Sequence, residues 1–141
     1  MRLTPEADLE TIEKPRPTTP YERLGGLPVL QQIADRFYDL MDQDPAYAEL
    51  RAMHAPDLSH MRGALAGFLM GWSGGPRDWF DANPGRCMMS VHKPFTINHE
   101  VAGQWAQAMR RAIEEVLGES DPPLAAEMAR VLEQLALGMG R

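Results

Sequence analysis

A chain of 141 residues with 44% hydrophobic side chains has the size of one ordinary domain and can bury a core without covalent staples. Its 14 basic and 20 acidic side chains leave a net charge of −6, which speaks against a nucleic-acid-binding surface and against attraction to anionic membranes. The single cysteine, Cys87, cannot form an intrachain disulfide, and no apolar leader or long apolar span is present, so a cytoplasmic chain without membrane contact is expected.

Residues 1–19 are polar and carry Pro5, Pro15 and Pro17, a composition read as a flexible extension. From Pro20 the pattern changes. Tyr21 to Leu24 makes one helical turn, Gly25-Gly26 breaks it, and Pro28 suits the first position of a helix running to about Asp42. Leu30, Ile33, Phe37, Leu40 and Met41 recur there at three- and four-residue steps and share a face. A shorter helix is expected from Ala46 to about Met53, closed by Ala55-Pro56. Asp57 then reads as the cap of a helix whose stripe is Leu58, Met61, Leu65, Phe68 and Trp72, ending at Gly74-Gly75-Pro76.

Between Arg77 and Phe95 prolines, glycine and asparagine predict mostly loop, interrupted by the aromatic pair Trp79-Phe80. Asn98 caps the next helix, with Val101, Trp105, Met109, Ile113 and Val116 on one face as far as Gly118. Asp121-Pro122 opens the last, with Leu124, Met128, Val131, Leu135 and Met139 as its stripe. With no alternating strand pattern beyond a few residues, the expected class is all-α.

Phosphate-cradling glycine loops, a Gly-x-Ser-x-Gly elbow and a His-Glu-x-x-His zinc helix are all absent. So is Cys-x-x-Cys-His, which excludes covalent haem attachment of the c type. Four histidines remain: His54, His60, His92 and His99. His92 stands among Cys87, Met88, Met89 and Val91 on one side and Lys93-Pro94-Phe95 on the other, a setting that turns it towards the core. Taken alone, such a histidine is more often an ordinary packed one. His60 and His99 lie near helix starts and read as solvated surface.

In combination the segments say more. Tyr21-Glu22-Arg23-Leu24-Gly25-Gly26, Arg36-Phe37-Tyr38, Gly74-Gly75-Pro76, then after about seventeen residues His92-Lys93-Pro94-Phe95-Thr96-Ile97, and about a dozen further Trp105, resemble group II truncated haemoglobins in order and spacing. The resemblance covers residues 20–141 and implies a globin-like two-over-two helical sandwich around haem b, with 1–19 outside it. It makes His92 the proximal iron ligand, leaving the opposite face for oxygen, nitric oxide or carbon monoxide. It places Tyr38 and Trp105 there as hydrogen-bond donors, with Phe37 beside them. His54 is then a third polar group that either donates to the gas or organises Tyr38. Met61 and Leu65 form an apolar wall, and Phe68 and Phe95 complete the haem contact. Where the family commonly has basic residues before its proximal histidine, this chain has Met88, Met89, Ser90 and Val91. Arg86, Lys93 and Arg62 are then candidates for the haem carboxylates by proximity alone.

The expected function is reversible oxygen binding with slow release. Oxygen transport, redox chemistry, detoxification of nitric oxide or peroxide with a reductase partner, and gas sensing would all use the same site, and a homodimer stays open. The alternative of another class is a haem-free helical interaction protein in which His92, Tyr38 and Trp105 only pack.

Overall fold

The computed structural model describes residues 19–85 and 97–140. Helix α1, Pro20–Leu24, is capped by Thr19, whose hydroxyl accepts from the Glu22 amide at 3.1 Å. Helix α2, Leu27–Gln43, buries the expected stripe and adds Ala34 and Tyr38 to it. The helix expected over 46–53 is divided into a 3-10 turn, Pro45–Tyr47, and α3, Ala48–Ala52. The break has a tertiary cause: Asp44 accepts from the Ala46 amide, and the buried Tyr47 phenol oxygen accepts from Arg111 at 3.2 Å. Together they hold the turn on the long helix that carries Arg111, His99–Leu117, rather than letting one straight helix form.

Helix α4, Ser59–Trp72, begins one residue later than Asp57 as cap would place it. Leu58 holds the cap position, while Asp57 accepts from both the amide (2.9 Å) and the hydroxyl (2.7 Å) of Ser59. The next element corrects the sequence reading. Trp79 and Phe80, expected in loop, form the short helix α5, Asp78–Ala82. The reason lies on α4, where Gly67 and Gly71 stand one turn apart and receive the two aromatic rings. A methyl group at Gly67 would meet Trp79 at 3.2 Å, and one at Gly71 would meet the Phe80 ring at 2.6 Å. Phe68 adds ring contacts to both, with centroids 5.6 and 5.5 Å away. Gly71→Ala is therefore expected to destabilise the protein. Overpacking costs about 1–3 kcal/mol and outweighs the roughly 1 kcal/mol that alanine gains over glycine in a helix. Gly63→Ala, on the open face of the same helix with nothing within 4 Å, should instead stabilise in the same urea titration.

Helix α6, His99–Leu117, is capped as expected by Asn98, which accepts from the Val101 amide at 2.8 Å. Helix α7, Pro122–Met139, is capped by Asp121. That carboxylate is also gripped in fork geometry by Arg23 of α1, at 2.7 Å on each oxygen, so the cap of the last helix fastens the first one. The arrangement is two helix pairs, α2 with α4 and α6 with α7, joined face to face through α2 and α6.

Two segments that carried the resemblance touch each other. The Tyr21 amide donates to the Ser73 carbonyl at 2.9 Å, and a side chain at Gly75 would run into the Tyr21 ring at 2.6 Å. Gly74, at φ 101°, would collide with Thr19 as well, so Gly-Gly is required where the end of α4 meets the start of α1.

Candidate functional site

Where the two helix pairs meet α3 and α5, the core does not close. A cavity of about 370 Å³ opens there, walled by Met53, Met61, Ala64, Val101, Ala102 and Met139 among others. Its body is thioether and small aliphatic side chain. Polar groups reach it at a few points: His54 after α3, His60 on α4, Asn83 after α5, and the indoles of Trp79 and Trp105.

Trp105 belongs to a contiguous row of rings. Its centroid lies 5.4 Å from that of Phe37, which lies 4.9 Å from Tyr38, which lies 5.9 Å from His54, all edge to face. Adjacent positions on α2 thus diverge as helix geometry requires, Phe37 towards Trp105 and Tyr38 towards His54. Tyr38 is 3% exposed and Trp105 7%. Neither the Tyr38 hydroxyl nor the Trp105 indole N–H forms a hydrogen bond within the described residues. Buried donors are nearly always paired; Trp105 lines the cavity and Tyr38 packs against His54 of its wall, so the two suit an occupant that brings its own acceptor. Burial pushes the Tyr38 phenol well above its usual range, against a weaker opposing pull from the Arg62 charge, so the phenol keeps its proton and remains a donor.

His54 is oriented by the backbone. Its Nδ1 lies 2.9 Å from the Leu50 carbonyl, and since a carbonyl only accepts, Nδ1 carries the proton. In the neutral ring Nε2 is then an acceptor.

Met61 lines the cavity as expected, whereas Phe37, Tyr38, Leu65 and Phe68 are buried just behind its lining. His60, expected as plain surface, is exposed but forms part of the wall, one helical turn before Ala64. Arg62 is corrected in the other direction. Its guanidinium donates to the Asp35 carbonyl at 3.0 Å and to the Asp39 carboxylate at 2.8 Å, committing it to α2 rather than to the cavity. His92, Arg86, Lys93 and Phe95 lie outside the described residues, as do Cys87, Met88 and Met89. The wall contributed by α7, Ala136 with Met139, was not legible as a site, because Met139 sits on a stripe that reads as ordinary core and Ala136 lies beside it.

The sequence profile of bacterial-like globins matches residues 19–139. Group 1 truncated hemoglobin GlbN of Synechocystis is 31% identical over 116 residues, covering 81% of this chain and 89% of that protein. Among solved structures, the cold-adapted truncated hemoglobin of the Antarctic bacterium Pseudoalteromonas haloplanktis is 33% identical with a TM-score of 0.83, covering 88% of this chain and 98% of that one. The group II 2-on-2 hemoglobin of Agrobacterium tumefaciens is 28% identical with a TM-score of 0.84, covering 91% and 98%. Profile, sequence and helix arrangement agree, and the chain belongs to the bacterial-like globins, as a truncated two-on-two haem b protein that binds diatomic gases.

Proposed function

We propose that this globin holds haem b in the cavity between α3, α4, α6 and α7 through His92, and binds oxygen reversibly on the opposite face with Tyr38 and Trp105 as hydrogen-bond donors. The observation that carries the distal half is the pair of buried donors without acceptors among the described residues. The proximal half rests on the sequence pattern around His92. Bound haem iron supplies an open coordination position and electron density to the gas that occupies it.

The chain's own part is to provide an apolar enclosure in which that gas, once it has gained negative charge, finds two neutral donors. In such surroundings each hydrogen bond is worth more than in water. Met61 and the alanines exclude water without competing for the gas. His54, held by Leu50, orients the Tyr38 side of the pocket. Donors on both flanks favour retention of oxygen over the fast exchange that bulk transport needs.

The test is direct. The purified chain should show the intense violet absorption band of protein-bound haem, and in the ferrous state that band should shift on adding oxygen or carbon monoxide. A folded chain that takes up no haem would refute the proposal.

A further inference from the structure

We propose that the carboxylate side chains of the prosthetic group leave the cavity past His60, with the His60 imidazole as their hydrogen-bond donor and the Trp79–Asn83 turn supplying further donors; this rests on the haem reading above.

Haem is apolar over most of its surface and carries two carboxylates on one edge. A carboxylate is cheap to accommodate only where it is both paired and in reach of water. Most of the cavity wall offers neither. No lysine or arginine lines the cavity among the described residues, and Arg62, the basic side chain nearest to His60 along the chain, is spent on Asp35 and Asp39. Of the two histidines in the wall, His54 is half-buried and turned to the Leu50 carbonyl, whereas His60 is exposed, so it meets the cavity and solvent at once.

The surroundings of His60 fit an anion. His60, Ala64 and Gly67 follow one another at four and three residues and share a strip of α4. Ala64 lines the cavity without filling the strip, and Trp79 rests on Gly67 at its far end. The Trp79 indole N–H makes no hydrogen bond within the described residues. Asn83 donates one hydrogen of Nδ2 to the Trp79 carbonyl at 2.8 Å and retains a second. The acid nearest to His60 on its own segment, Asp57, is occupied by the Ser59 amide and hydroxyl. The strip thus carries an imidazole at one end and, two helical turns on, the Trp79 indole and the Asn83 amide, the polar part of an otherwise apolar wall.

The experiment follows haem transfer from the ferric holoprotein to an excess of a haem-scavenging apoprotein, using haem b and haem whose two carboxylates are methyl esters. The wild-type chain should lose the ester about tenfold faster than haem b, the size of one charge-assisted hydrogen bond. His60→Ala should lose haem b about tenfold faster than wild type, with little further penalty for the ester, and His60→Lys should restore slow loss. Asn83→Ala should act in the same direction with smaller size. Release of haem b from His60→Ala at the wild-type rate, or an ester penalty as large in His60→Ala as in wild type, would overturn the assignment while leaving the haem reading intact. A wild-type chain that binds neither compound would overturn both.

Discussion

Trp105→Phe should speed oxygen release from the haem-loaded protein by at least roughly tenfold, because a hydrogen bond to a partly anionic acceptor contributes about 1.5–3 kcal/mol. Phenylalanine is chosen to remove the indole N–H while keeping an aromatic ring against Phe37, whose centroid lies 5.4 Å away. The cavity wall then loses a donor while an aromatic ring is kept against Phe37. Carbon monoxide accepts less charge than oxygen, so its release should accelerate less under the same substitution. Stopped-flow displacement of each gas reads the two rates. An equal effect on both would point to altered access, and an unchanged oxygen rate would remove Trp105 from ligand retention.

Tyr38→Phe should move stability and function in opposite directions. The Tyr38 hydroxyl is buried with no hydrogen bond among the described residues, and burial holds it in the neutral form. In the haem-free chain this group costs desolvation without return. Its removal should therefore raise resistance to urea by roughly 1 kcal/mol, at the low end of the cost of a buried unsatisfied polar group. In the gas-bound haem protein the same hydroxyl is a donor, and its loss should speed oxygen release. A substitution that destabilises the haem-free chain would mean that Tyr38 has an acceptor in the protein itself. The ring contacts with Phe37 and His54 are kept by phenylalanine, so packing is not the variable.

The helices were legible because their apolar stripes and caps are local signals. Asn98 and Asp121 start helices as their side-chain chemistry dictates, and the stripe from Leu30 to Met41 is buried as its spacing requires. Helix α5 was not legible. Nothing within Asp78–Ala82 marks a helix strongly, and what holds it is a pair of glycines on α4 that accept Trp79 and Phe80. The division at Tyr47 was hidden for the same reason, since Arg111 lies far along the chain.

The site divides likewise. Tyr38, Trp105 and Phe37 were named by the resemblance, and the fold brings them into one row with His54. His60, read as surface, is exposed and also lines the cavity, while Arg62, a candidate for the haem carboxylates by proximity alone, is paired with α2. Their roles depend on which way α4 is turned, and that is set by α2, whose Asp35 and Asp39 claim Arg62 and leave His60 at the cavity. The Ala136 and Met139 wall shows that a cavity is a failure of stripes to meet, which no single stripe reveals.

The most direct test of the central claim is the absorption spectrum of the ferrous protein with and without carbon monoxide, in wild type and in His92→Gly, before and after adding free imidazole. If His92 holds the iron, the glycine variant should lose the wild-type haem spectrum, and imidazole filling the vacated space should restore it together with the carbon monoxide shift. A His92→Gly protein that keeps the wild-type spectrum and gas response without imidazole would show that another residue holds the iron.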